Sequence, residues 1–425
     1  MYLNDYLDKL KKNKLEESNK PWLTSKIISD EFFNSIFPDE KVEEWKNFNI
    51  KSLIGNKLKV LEKNKNLKIE KINRDYNNIL FFNNGVFEKC LLEKKLINKI
   101  NIYKTTEYKK KDKTILKKIY SDAAKYAEKR LSGVSDSKTT KLLSLNALLS
   151  EGVVIEIPND TVIDNQICIY NNISCQNTLV NPYILIIAKE NSKTKFLDLT
   201  SYNGEENWTN SFYEIYLEKN SNFQMANLST NQIKNVNTSS YNFHLEKYSR
   251  LKFSSINKGN SKKDIRVFLN GENSKTSLKG MLISKHKESN DIFCKVTHNA
   301  PNTISNQEWR MLSSDNSKTS LNGKIKILKN AKKSTGSFFS KTLLLSEKAK
   351  SFSKPELEIF EDEVSCSHGA SFGEIEKEKV FYLQSRGLSK RDAIKYLVLA
   401  FINELKLNDD KLNENILSET ENLFC

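Results

Sequence analysis

Asn273-Ser274-Lys275-Thr276-Ser277-Leu278-Lys279-Gly280 recurs as Asn316-Ser317-Lys318-Thr319-Ser320-Leu321-Asn322-Gly323, and a shorter copy, Asn191-Ser192-Lys193-Thr194-Lys195-Phe196, precedes both. Looser versions begin at Asn220-Ser221-Asn222-Phe223 and Tyr248-Ser249-Arg250-Leu251. Each copy sets a polar turn before an apolar residue. The offsets fit one or two coils of about 20–30 residues, the period range of solenoids. In such a fold a polar turn recurs at each corner and an inward apolar residue follows it. One coil is too thin to bury its own apolar face, so coils stack. Biased Asn, Lys and Ser usage produces chance matches, but three six-residue copies at strand-leading positions favour a real β-solenoid.

Around these repeats, from residue 151 to 373, the period of the pattern is two. Val153-Val154-Ile155-Glu156-Ile157, Ile167-Cys168-Ile169-Tyr170, Ile184-Leu185-Ile186-Ile187 and Glu214-Ile215-Tyr216-Leu217 read as short strands between polar turns. Residues 1–150 read as a largely helical region with short strands. Leu3, Tyr6, Leu7 and Leu10 make one helical stripe, and Ile28, Phe32, Phe33 and Ile36 a second, which Pro38 ends. Ile79-Leu80-Phe81-Phe82 runs as a strand into the turn Asn83-Asn84-Gly85, and helical patterning returns over 114–131 and 141–149. Residues 374–425 read as helical again. A helix over 376–385 is capped by Gly387, and Ser389 with Asp392 opens another that carries Ile394, Leu397, Val398, Phe401 and Leu405 on one face. This hairpin is expected to cap the open end of the solenoid or to face another protein. The tail after Lys406 reads as polar and mobile.

The 425 residues are 38% hydrophobic and 28% charged, with a net charge of +15. That polarity suits an elongated fold, which exposes more surface than a sphere. Lysine far outnumbers arginine and is spread along the chain rather than gathered in an Arg-rich stripe, which argues against nucleic acid as the partner. No run of about 18 apolar residues exists to cross a membrane, and the charged amphipathic start resembles no secretion signal. The six cysteines, Cys90, Cys168, Cys175, Cys294, Cys366 and Cys425, are scattered without CxxC spacing, which fits a reducing, cytoplasmic setting.

No GxxxxGK[ST] phosphate loop, GxGxxG, HExxH or GxSxG is present, so ATP hydrolysis by a phosphate loop and the common hydrolase chemistries are not expected. One local arrangement stands out, Val364-Ser365-Cys366-Ser367-His368-Gly369-Ala370. On an extended strand Cys366 and His368 share a face. A thiol and an imidazole side by side suit a soft metal such as iron, and the imidazole can relay a proton. They make half a site, since iron or zinc takes about four ligands in such a setting. On spacing alone a buried small cysteine and a hydrogen-bonded histidine are the commoner explanation. Cys294 and His298, four apart, are read as sharing a face only in a helix, and so as a weak pair.

Lys354-Pro355-Glu356-Leu357-Glu358-Ile359-Phe360, Cys366-Ser367-His368-Gly369-Ala370 and Phe381-Tyr382-Leu383-Gln384-Ser385-Arg386-Gly387 strongly resemble the SufD family. The sister family SufB carries Cys-Glu-His-Glu-Ala in place of Cys-Ser-His-Gly-Ala. Glu43-Glu44-Trp45-Lys46, Phe82-Asn83-Asn84-Gly85, His298-Asn299-Ala300-Pro301 with Ser305 and Gln307, and Leu343-Leu344-Leu345-Ser346 match in order. The chain departs at Asp362-Glu363-Val364-Ser365, where the family often has Asp-Asp-Val-Lys, and at Ser334–Phe339, where it often has Gln.

The resemblance implies a mainly β protein, a right-handed parallel β-helix flanked by helical N- and C-terminal regions. It implies a non-catalytic scaffold with no catalytic residues of its own, partnered by a SufB-like subunit and a SufC-like ATPase, with a homodimer when alone. SufC docking maps to Phe381, Tyr382, Arg386, Gly387, Ile394, Leu397, Val398 and Phe401. His368, with Cys366 as the weaker candidate, maps to the SufB interface. There a transient iron–sulfur cluster forms, with His368 as a metal ligand shared with SufB and no tightly bound cofactor. The rival expectations are a β-helix carbohydrate-active enzyme and an inert structural interaction protein.

Overall fold

A computed structural model describes residues 43–54, 58–61, 76–104, 142, 145–146, 150, 152–229, 234–421 and 423. The helical stripes at 3–10 and 28–36, the helix at 114–131 and Cys425 lie outside the described residues. Of the segment 141–149, Leu142, Leu145 and Asn146 are described and helical.

Two sheets make the body. In the first, the strands run in spatial order β4 (Asn101–Lys104), β5 (Val153–Ile157), β8 (Tyr183–Ala188), β10 (Trp208–Leu217), β12 (Val236–Leu245), β14 (Asn260–Leu269), β16 (Ser289–His298), β18 (Lys318–Ile327) and β20 (Lys350–Ile359). Short strands β1 (Lys59–Val60) and β7 (Thr178–Val180) join its side. In the second the order is β3 (Val86–Leu91), β2 (Ile79–Asn83), β6 (Ile167–Ile173), β9 (Lys193–Tyr202), β11 (Asn222–Ser229), β13 (Arg250–Asn257), β15 (Lys275–Ser284), β17 (Ile304–Ser313), β19 (Ser334–Leu344) and β21 (Val364–Glu374). From β8 onward successive strands alternate between the sheets, and all pairings from β5 and β6 onward are parallel, so the chain coils as a parallel β-solenoid. One coil takes from 24 residues, Val236 to Asn260, to 32, Lys318 to Lys350. At its N-terminal end the stack is closed by antiparallel strands, β3 on β2 and β4 on β5.

The repeats mark corners, as their spacing predicts. Asn191, Asn220, Tyr248, Asn273 and Asn302 hold left-handed φ angles of 57 to 61°, a conformation asparagine tolerates better than most residues. The next residue ties each corner: Ser192, Ser221, Ser249 and Ser274 donate to the carbonyl three residues back at 2.6–2.7 Å. The copy at Asn316 sits at the opposite corner, leading into β18 of the other sheet, and its left-handed residue is Asp315. Inward residues Phe196, Phe223, Phe253, Leu278, Ile292 and Phe338 belong to one continuous core. Phe338 lies across Gly323, and Trp309 across Gly280, where any side chain would collide with the ring.

Outside the first sheet, a 3-10 turn at Glu43–Trp45 and helix α1 (Ile50–Leu53) lie across four coils. Trp45 is buried and covers the Lys262 ammonium at 5.3 Å. Lys262 donates to the Glu44 carbonyl and to Asp291. Asn47 reaches Ser320 at 3.0 Å, and Glu43 pairs with Lys354 on β20. Helix α2 (Lys94–Ile97) packs Leu96 into the interior core.

The C-terminal region departs from the capping expectation and from that of a mobile tail. Helices α3 (Lys377–Ser385), α4 (Lys390–Asn403) and α5 (Asp410–Glu421) follow β21. They cap no end: Val398, Ile402, Leu405, Leu412 and Ile416 pack on outward residues of the second sheet, among them Phe81, Leu199, Leu228 and Met281. The tail beyond Lys406 is ordered rather than loose. Asp409 caps α5 through the Leu412 amide and accepts from Gln166, while Gln224 and Ser254 hold Asn408. Three buried apolar residues, Leu407, Leu412 and Ile416, outweigh the polar composition.

Candidate functional site

Among the described residues the solenoid is open at its last coil. The Lys350 amide donates to Ser317 and the Phe360 amide to Ile327, so even residues of β20 bond inward to β18. In a parallel ladder, alternate residues turn their N–H and C=O the other way. The odd residues of β20 therefore present free-edge backbone, as do the even residues of β21. Pro355 falls on an outward position of β20 and removes one donor from that edge without costing a bond to β18. β21 has no proline. The rim exposes Phe339, Phe352, Ile359, Phe360 and Phe372.

Cys366 and His368 lie on β21 of this last coil. Cys366 stacks over Gly336 and His368 over Phe338. Phe338 belongs to the interior core and Cys366 packs against it, so period-two alternation turns His368 to the same inward face. Among the described residues no coil lies above them, and His368 is exposed and Cys366 half-buried. Burial pushes the Cys366 thiol up from its ordinary value, and a backbone hydrogen bond at Gly336 partly offsets it. The expected pairing of the two donors on one face is met. Among the described residues no group of three His, Cys, Asp or Glu side chains gathers for a metal, so the chain offers two donors here.

The residues mapped to ATPase docking divide. Phe381 (73% exposed) and Tyr382 (57%) stand out from α3, with the Arg386 guanidinium 5.3 Å from the Tyr382 ring. Gly387 takes φ +93° and ends α3, and Ser389 caps α4 on the Asp392 amide at 3.1 Å. Val398 is fully buried, Leu397 is half-buried, and Ile394 and Phe401 pack partly on the second sheet.

The histidine of His298-Asn299-Ala300-Pro301 is buried. Its Nδ1 meets Thr303 Oγ1 at 2.7 Å and its Nε2 meets Ser305 Oγ at 2.8 Å. Burial lowers its pKa to about 4. Cys294 and His298 do share a face, contrary to the helical argument, because both sit on β16 at even positions and point inward. At about 3.3 Å per residue they lie about 13 Å apart, too far for one metal. Sequence reasoning missed the exposed rim around Cys366. Pro355 was its one visible sign, since a proline inside a strand marks an edge.

The family model for the SUF system FeS cluster assembly SufBD core domain matches residues 171–401, more than half of the chain. An iron–sulfur cluster assembly protein SufD of Escherichia coli (strain K12) is 36% identical over 152 residues, 35% of this chain and 36% of that protein. A SufBD family protein of Synechocystis is 26% identical over 60% of each chain. One from Staphylococcus saprophyticus is 23% identical over 73% of this chain and 66% of its own. The matches thus span 36% and 60% of the first two relatives' lengths. The resemblance drawn from the motifs and the solenoid drawn from the repeats lead to the same place. The chain belongs to the SufBD family of the SUF iron–sulfur cluster assembly system.

Proposed function

We propose that the chain is a SufD-type scaffold, cytoplasmic and without catalysis of its own, whose open last coil joins a SufB-like subunit. One observation carries the reading: among the described residues both sheets end on long unpaired edges, β20 and β21, within an exposed aromatic rim, and Cys366 and His368 lie on that coil. Free strand edges with apolar flanks are templates for pairing with another chain. Two donors at such a seam are half of a tetrahedral set, and the partner supplies the rest. The cluster is cargo at this seam, not a resident cofactor.

Of the two donors His368 is the better ligand. It is exposed, and an imidazole nitrogen suits iron. Cys366 must shed a proton that burial holds on the sulfur. Phe381, Tyr382 and Arg386 on α3 suit the docking of a SufC-like ATPase, while Val398 and its neighbours anchor the helices to the solenoid, so that a pull on α3 is transmitted to the body. A β-helix carbohydrate enzyme needs clustered carboxylates, and no cluster of three forms among the described residues.

His368→Ala is the test. Cells relying on this system lose cluster formation while the complex with the SufB-like and SufC-like subunits still co-purifies. Unchanged cluster output from this variant and from Cys366→Ala/His368→Ala would leave only an inert structural role.

A further inference from the structure

Inside the solenoid, the corner from the second sheet to the first is lined by polar side chains. On the first sheet Ser261, Asn290, Thr319 and Ser351 stack directly over one another. All four face inward, in phase with Ile265, Ile292, Leu321 and Leu357 of the core. Two hydrogen-bonded stretches run along this corner. Toward the N-terminal end the fully buried Lys263 donates to Asn227, Ser255 and Asn257. Toward the open end Ser313 and Thr319 hydroxyls meet at 2.7 Å, and Thr319 donates to Ser351 at 2.8 Å.

The coil between them, β15–β16, and the adjoining side of the Lys263 coil carry orphans. Asn257 Nδ2, Ser261 Oγ, Ser284 Oγ and both Asn290 amide atoms have no hydrogen-bond partner among the described residues. These residues are at most 1% exposed. A carboxamide stripped of water with neither its N–H nor its C=O paired is strongly disfavoured. Native interiors satisfy such groups with protein or with ordered water. Thr319, the nearest hydroxyl of the adjoining stretch, is already engaged. An anion would serve only the donors and a cation only the acceptors, whereas the orphans include both kinds. Water, donor and acceptor at once, matches that set, and rungs about 4.8 Å apart leave hydroxyls at bridging distance.

We propose that ordered water fills this one-coil gap and joins the stretches into one hydrogen-bonded column from Lys263 to Ser351 at the open end. A crystal structure of the full chain at about 1.8 Å tests this. At least two waters are expected within about 3.2 Å of Asn290 Oδ1, Asn290 Nδ2 and the Ser261 or Ser284 hydroxyl. A dry gap, with the Asn290 amide turned onto protein partners, overturns the proposal. Asn290→Leu supplies an independent reading, because leucine keeps the volume. If water fills the gap, leucine displaces it and leaves Asn257, Ser261 and Ser284 stranded, so Tm falls by a few degrees. An unchanged or raised Tm, as for removal of an amide that was never solvated, overturns it equally.

Discussion

Gly323→Ala would test whether the floor of the last coil is built as described. Gly323 faces inward on β18, and the Phe338 ring lies flat over it. A Cβ at 323 would stand 1.8 Å from Phe338 Cε2 and 2.3 Å from Cδ2 and Cζ. The ring must retreat by more than an ångström to reach an ordinary contact, and it is already buried in the core at 1% exposure. The backbone cannot yield either, because β18 is pinned between β16 and β20 along its whole length. Overpacking of this kind costs about 1–3 kcal/mol, and a collision this deep belongs at the upper end. Gly373→Ala is the control. It lies on β21, where the nearest atom to a new Cβ is 3.9 Å away, so the change should stay within about 0.5 kcal/mol. Equilibrium denaturation in urea measures both. A Gly323→Ala midpoint equal to that of the unaltered protein, or an equal loss in both variants, would refute the packing argument. Since His368 stacks on Phe338, Gly323→Ala should also weaken cluster formation without touching a donor.

Val398→Asp should release α4 and α5 from the second sheet, because an unpaired carboxylate in a fully buried site costs several kcal/mol; limited proteolysis after β21 reports it, and an unchanged cleavage pattern would contradict the docking. Phe381→Ala should leave the unfolding midpoint within about 0.5 kcal/mol, as for an exposed side chain, yet abolish co-purification of the SufC-like ATPase; retention of the ATPase would remove α3 from that role. His298 gives a pH signature. Its folded pKa, about 4, lies below the ordinary histidine value of about 6.5, so the unfolded chain takes the proton first. The contribution is present above about pH 6.5 and is lost as pH falls toward 4, amounting to about 3 kcal/mol. His298→Gln should flatten the stability profile over that window, and parallel profiles would refute the buried neutral imidazole.

The solenoid was legible because its corners repeat. A left-handed turn residue and a hydroxyl that ties back three residues are local demands, and local demands leave local signatures. The hydrophobic register of Phe196, Phe223 and Leu278 was legible for the same reason. Which corner each copy occupies was not, since Asn273 and Asn316 look alike and serve opposite sheets. The pairing of Cys366 with His368 followed from alternation alone. Their exposure did not, because nothing in the composition of β21 says that no further strand follows it. The same blindness misjudged the tail, where Leu407, Leu412 and Ile416 are diluted by Asn, Asp and Glu. Their burial depends on a sheet face assembled from residues more than a hundred positions away.

A ladder of like rungs held only by its neighbours would fray from whichever rung is outermost. Here the segment around Trp45 acts as a splint. It is fixed at one end to β14 through Lys262 and at the other to the outermost strand of its sheet through Glu43 and Lys354. Peeling β20 away thus drags on a tryptophan seated three strands deeper, and the outermost rung keeps its shape.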